Sequence, residues 1–138
     1  MASITLQAAQ TLAAAAIDKA AADYQRPICV SVCDPAGFLL AFARVDGSPL
    51  RCIAISQGKA YTAVRMGVTT EAFLERLHRE NIPAGYFCDD RLTALPGGAV
   101  LKDSAGAIVG GVGISGLASG EDQAIANALA ALAATGSV

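Results

Sequence analysis

The sequence has few aromatic residues, few basic residues and a single histidine, and each shortage argues against a class of protein. It contains no tryptophan, and aromatic residues make up 5% of the 138 residues, so small and aliphatic side chains carry its 54% hydrophobic content. Such a composition predicts thin, closely packed layers. Lysine and arginine number 10 and are scattered without a run, and the formal net charge is −2. We therefore expect neither nucleic acid nor a membrane surface as a partner.

Signatures of metal sites and disulfides are also missing from the sequence. None of the four cysteines forms a CxxC pair, and no HExxH motif occurs. Cys29 and Cys33 lie in one predicted strand, which would separate their Cα atoms by about 13 Å, too far for a disulfide. His78 stands near a predicted helix end, where a surface cation is favourable, and cannot form a Ser-His-Asp set. We expect no metal site, and buried cysteines in a reducing cytosol.

Long apolar runs are missing as well. Residues 8–17 are mostly apolar, but no basic residue precedes them and the helical pattern continues through Asp18 and Lys19, which argues against a signal peptide. No stretch reaches the roughly 20 apolar residues of a membrane helix. The sequence therefore predicts a cytoplasmic protein with one domain over residues 1–138. A small chain with this apolar content has more apolar surface than one subunit can bury, which predicts a homo-oligomer.

Two turns of the same chemistry predict two β-hairpins. Asp34–Gly37 and Asp103–Gly106 both read D-x-A-G, in which Asp accepts local backbone hydrogen bonds and Gly supplies a left-handed conformation. Alternating residues flank both turns. The two hairpins predict four strands of one antiparallel sheet.

Helical periodicity fills the rest of the chain. An amphipathic helix is predicted from about Thr5, with Thr5 or Ser3 as its cap, to Tyr24. Ser48 is expected to cap a second helix that ends at about Met66, and the remaining predicted helices start at Thr69 or Thr70 and near Ser119. Residues 81–95 are expected to form an ordered loop with a helical turn or two. The predicted fold is α+β, in the order helix, hairpin, helix, helix, hairpin, helix, with the terminal helices on one face of the sheet.

Five blocks in this order resemble the motifs of the GlcG/HbpS-like family, and the resemblance covers nearly the whole chain. The blocks are Val30–Gly37, Ala43–Gly47, Lys59–Ala63, Gly97–Gly98, and Gly110–Gly116 followed by Asp122. The resemblance implies a profilin-like sandwich and a small oligomeric protein. The family includes haem-binding and haem-degrading proteins and the C-terminal domain of PduO-type cobalamin adenosyltransferases, and relatives accompany B12-dependent diol and glycerol utilisation. The implied ligand is tetrapyrrole-like, either haem or a corrinoid, or is a small carboxylate or diol-pathway metabolite.

Candidate ligand-binding residues follow from the residues and the resemblance together. Lys59 is expected in mid-helix, on a face with the hydroxyl side chains of Ser56 and Thr62, where it either binds a carboxylate or is simply solvated. Arg44 either clamps a carboxylate or pairs with Asp46. A helix start near Ser119 attracts anions, although Glu121 and Asp122 can serve as its caps. The full predicted set is Lys59, Thr62, Arg44, Gly97, Gly98, Ser115 and Gly116.

The sequence departs from the family pattern in two places. Pro does not follow Gly97-Gly98, and the first helix lacks the histidine that some haem-binding relatives use. Other axial groups are available, namely Tyr24, Tyr61, Cys52 and His78. We predict a small ligand-binding accessory protein. The alternatives are a cofactor-free enzyme with Lys59 as base or electrophile, and a structural partner of a diol- or glycerol-utilisation enzyme.

Overall fold

The computed structural model describes residues 2–138, which form helices on both faces of a four-stranded sheet. The elements in chain order are α1 (Leu6–Tyr24), β1 (Cys29–Cys33), β2 (Leu39–Arg44), α2 (Arg51–Met66), α3 (Thr70–Glu80), a 3-10 turn η1 (Ala84–Phe87), β3 (Gly98–Lys102), β4 (Ile108–Ser115) and α4 (Ser119–Ala134). No helix within this range is long and apolar enough to cross a membrane.

The sheet is antiparallel throughout, with strand order β2-β1-β4-β3. Both predicted D-x-A-G turns are present. The Asp34 side chain accepts hydrogen bonds from the backbone N–H groups of Ala36 and Phe38. The Asp103 side chain accepts two equivalent hydrogen bonds, from the N–H groups of Ala105 and Ala107. The second strands of the two hairpins lie on opposite sides of β1, because β1 pairs with β4 as well as with β2.

Helices cover the sheet unequally. α1 and α4 pack on one face, as the sequence predicted, and α2 packs on the other across β4, β1 and β3. The main apolar core lies between the sheet and the α1–α4 pair and includes Leu12, Val32, Leu101, Ile114 and Ile125, which are almost completely buried. The predicted α+β sandwich is confirmed.

Two of the predicted helix caps are confirmed and one is wrong. Thr5 and Thr69 accept hydrogen bonds from the N–H groups three residues ahead, at the starts of α1 and α3. Ser48 does not cap α2, because that helix begins at Arg51 with Leu50 at the cap position. The Ser48 hydroxyl is instead buried without a hydrogen-bond partner among residues 2–138.

Candidate functional site

Glycines on β4 and β3 allow α2 to lie unusually close to the sheet. A Cβ atom added at Gly113 would collide with the backbone carbonyl of Ser56, and one added at Gly98 would collide with that of Lys59. Gly111 is packed in the same way against Ala60. This stripe of residues without side chains therefore sets the height of α2 above the sheet and brings its middle turns into the interior.

Lys59 lies at this contact, and its side chain forms a buried ion pair. It is 2% exposed, and its Nζ donates hydrogen bonds to the Ile114 carbonyl at 2.7 Å and to Asp122 Oδ2 at 3.1 Å. Asp122 is 3% exposed, and its other oxygen accepts from the Leu117 N–H at 3.1 Å. The pair ties α2 to the first turn of α4 and to the end of β4. Lys59 is therefore not a solvated surface lysine, and Asp122 is more than a helix cap.

Burial and pairing act in opposite directions on these two groups. Loss of water lowers the pKa of the Lys59 ammonium, while the neighbouring Asp122 carboxylate partly restores it. Loss of water likewise raises the pKa of Asp122, and Lys59 opposes that rise. Each charge is thus stabilised mainly by the other, and removal of one would leave an uncompensated charge in the interior.

The paired glycines wrap around the Lys59 ammonium. Gly97 has φ +131°, and a Cβ there would stand 2.7 Å from Lys59 Nζ and 2.6 Å from the Ile114 carbonyl oxygen. Its N–H donates to Gln123 Oε1 at 2.7 Å, and the Gly98 N–H donates to Thr70 Oγ1 at 2.8 Å. Both backbone donors are therefore used inside the protein, so the glycines shape the ion-pair site rather than present free N–H groups to a ligand.

A polar cleft of about 210 Å³ opens beside the ion pair. It lies where β4 ends and α2 and α4 begin. Its lining includes Arg26, Arg51, Cys52, Lys59, Ser115, Gly116 and Asp122. Three basic side chains and one carboxylate therefore share the cleft, which makes it a place for a small anion.

The structure brings together only some of the predicted site residues. Lys59, Ser115 and Gly116 line the cleft, and Gly97 and Gly98 lie behind the ammonium. Thr62 is fully buried, and its hydroxyl accepts from the Thr93 N–H at 2.9 Å. Arg44 is exposed at the end of edge strand β2, away from the cleft. No ion pair between Arg44 and Asp46 occurs among the described residues.

Arg26 and Arg51 were not predicted. Arg51 occupies the first turn of α2, where a cation is unfavourable with respect to the helix dipole, and this misplaced charge is the sequence signal that could have drawn attention to it. Arg26 precedes the strand β1 in an ordinary polar linker. No pattern in the sequence distinguishes it from the other exposed arginines.

The four possible axial groups for haem iron differ in their availability. The Tyr61 hydroxyl donates to Asp89 Oδ2 at 2.5 Å, which raises the pKa of Tyr61, and the Arg91 guanidinium lies 3.9 Å above its ring. Cys52 is buried at the cleft and Tyr24 is half-buried. His78 is exposed in the last turn of α3. No group of three or more His, Cys, Asp or Glu residues within 2–138 could hold a metal ion.

Solved structures with this fold include one that was solved with haem. HbpS from Streptomyces reticuli, solved as a double mutant, is 30% identical with a TM-score of 0.85 and is matched over 96% of this chain and 88% of its own. ORFY from Klebsiella pneumoniae is 27% identical, with a TM-score of 0.85 over 100% of this chain and 94% of its own. A PduOC–haem complex is 26% identical, with a TM-score of 0.81 over 94% of both chains.

The search of curated proteins gave no match. The family model "Haem degrading protein HbpS-like" matches residues 4–131, which is most of the chain. This protein therefore belongs to the HbpS-like family.

Proposed function

We propose that this protein binds a haem-related ligand and serves as a small oligomeric accessory protein. The observation that carries the proposal is the PduOC structure, a relative solved with haem, which matches 94% of both chains at 26% identity. Membership of the HbpS-like family points in the same direction. Haem is the first ligand to test, and a corrinoid is the second because it belongs to the same chemical class of tetrapyrroles.

His78 is the axial ligand that this chain offers most readily. Imidazole is the common protein ligand of haem iron, and helix α1 contains no histidine. Tyr61 is engaged with Asp89, and Cys52 is buried, whereas the His78 side chain is exposed and has no hydrogen-bond partner within residues 2–138. The single histidine makes the assignment easy to test.

Oligomer formation is supported by exposed apolar side chains. Leu50, Tyr86 and Phe38 are 72%, 70% and 65% exposed in the isolated chain. Exposed apolar side chains mark a contact surface where they form a contiguous patch, and we expect these three to contribute to contacts between copies of the chain. Analytical ultracentrifugation with and without haemin would measure the number of chains in the assembly and show whether the ligand changes it.

Titration of the purified protein with haemin, and separately with cobalamin, tests the proposal. A saturable shift of the Soret or corrin band at a fixed number of ligands per subunit is the expected result. The His78→Ala variant should lose the spectrum of an imidazole-ligated haem, and Cys52→Ser should retain it. A linear, unsaturable response to both ligands would overturn the proposal.

A further inference from the structure

The cleft at the starts of α2 and α4 contains more positive than negative side chains. Arg26, Arg51 and Lys59 line it, against the single carboxylate of Asp122. Glu121 lies nearby in sequence, but its side chain accepts a hydrogen bond from the Ala118 N–H and is not part of the lining. The cleft is therefore positive in a chain whose formal net charge is −2.

The two arginines at its rim keep donors available for a ligand. Arg51 forms no salt bridge among residues 2–138, although it stands at the positive end of the α2 dipole. Arg26 donates one hydrogen bond, from Nη2 to the Gly116 carbonyl at 3.2 Å. Because a guanidinium has five N–H donors in a planar fork, both side chains can still bind a carboxylate.

Two buried polar groups line the inner part of the cleft. The Ser115 side chain lies at the end of β4, is 4% exposed, and makes no hydrogen bond through its hydroxyl to any described residue. Lys59 has three N–H donors on Nζ and uses two of them, on Ile114 and Asp122. The Ser115 hydroxyl is therefore available to a ligand, and it lies in the same cleft lining as the Lys59 cation.

We infer that this cleft binds the carboxylate of a small organic acid. The rim arginines provide charge-assisted hydrogen bonds, the Ser115 hydroxyl provides a neutral donor, and Lys59 contributes positive charge from below. The volume of about 210 Å³ lies below the roughly 300–1,000 Å³ of pockets that hold drug-sized ligands, so the ligand has few heavy atoms. The inference does not depend on tetrapyrrole binding.

Lactate and its neutral analogue propane-1,2-diol test the inference on the full chain. Two-dimensional NMR should show saturable shifts of the amides of Cys52, Ser115 and Gly116 with lactate and none with the diol. Arg51→Gln should weaken lactate binding at least tenfold. Arg79→Gln is the matched control, because Arg79 is exposed on α3 and does not line the cleft.

Equal responses to lactate and the diol, or equal lactate binding by Arg51→Gln and Arg79→Gln, would overturn the inference. The carboxylate can belong to a free acid or to a haem propionate, and a competition experiment distinguishes the two sources. If lactate displaces haemin and Arg51→Gln weakens haemin binding, a propionate enters the cleft. If neither lactate nor the Arg51→Gln substitution changes haemin binding, the ligand is a free acid. The same conclusion follows if the protein binds lactate and does not bind haemin.

Discussion

The two faces of the sheet differ in the side chains that they present to the helices. Toward α1 and α4 the strands present aliphatic residues, namely Val30, Val32, Leu101, Val112 and Ile114. Toward α2 the two central strands, β1 and β4, present small or polar residues, namely Cys29, Ser31, Cys33, Gly111, Gly113 and Ser115. The first face buries apolar surface, at about 1.5–3 kcal/mol for each large side chain. The second lets a helix approach closely.

The difference explains where the buried polar groups lie. On the α2 side the hydroxyl groups of Ser31 and Ser56 share a hydrogen bond of 2.8 Å, and the Lys59–Asp122 pair lies at the end of the same contact. A buried ion pair is weak evidence for stability, because desolvation offsets much of the attraction. We infer that the aliphatic face holds the fold together and that the α2 face positions the cleft.

The largest expected effect comes from removing one half of the ion pair. Lys59→Met leaves the Asp122 carboxylate buried without its partner and should lower the free energy of unfolding by about 3–5 kcal/mol. The double variant Lys59→Met, Asp122→Asn removes both charges and preserves an acceptor for the Leu117 N–H, so it should recover most of that loss. Urea denaturation measures both. Equal losses in the single and double variants would show that the charges are not coupled.

A smaller effect is expected from one added methyl group on the α2 side. Gly113→Ala places a Cβ against the backbone of Ser56 and 2.7 Å from the Ala60 nitrogen, so α2 must move outward. Overpacking of this kind costs about 1–3 kcal/mol, and contact with backbone rather than side chain favours the upper end. Gly120→Ala is the control, because nothing lies within 4 Å of its added Cβ.

The measurement is the thermal unfolding temperature of Gly113→Ala compared with that of Gly120→Ala. Gly120→Ala should be neutral or slightly stabilising, because Gly120 lies in the first turn of α4 and alanine is the better helix former. If Gly113→Ala unfolds at the same temperature as Gly120→Ala, the close approach of α2 does not depend on the glycine stripe.

Sequence reasoning found the features that local chemistry determines. The D-x-A-G turns and the caps Thr5 and Thr69 depend on residues within four positions of one another, so their patterns are visible in the chain. The partner of Lys59 was missed because Asp122 lies 63 positions away. Their contact exists only after α2, β4 and α4 have packed together, and no local pattern records that packing.

Helix faces were predicted more accurately than the roles of the residues on them. Lys59, Ser56 and Thr62 were placed on one side of a helix, and all three are buried there. Thr62 was predicted to bind a ligand, and in the structure its hydroxyl accepts from the Thr93 N–H, while the Ser56 hydroxyl shares a hydrogen bond with that of Ser31. A sequence indicates that a polar group is on a buried face, but not whether a distant backbone group or a ligand will satisfy it.

The smallest expected effect concerns the reactivity of the four cysteines, which tests how closely α2 packs on its face of the sheet. Cys29 and Cys33 on the sheet and Cys52 on α2 are buried, whereas Cys88 follows η1 and is exposed, contrary to the expectation that all would be buried. Burial raises the pKa of Cys29 and raises that of Cys33 to about 12. A native protein should therefore react with a disulfide reagent at one thiol per chain at pH 8, and Cys88→Ser should abolish that reaction.

The pH dependence of unfolding follows from the same burial. The folded state keeps Cys33 protonated above the unfolded pKa of 9.0, so its contribution to stability is complete below pH 9 and is lost as pH rises toward about 12. Denaturation of Cys33→Ala and of the parent between pH 8 and pH 10.5 should show a shallower decline for the variant. Rapid native labelling at more than one thiol would instead mean that α2 separates readily from the sheet, so that close packing would be a property of the aliphatic face alone.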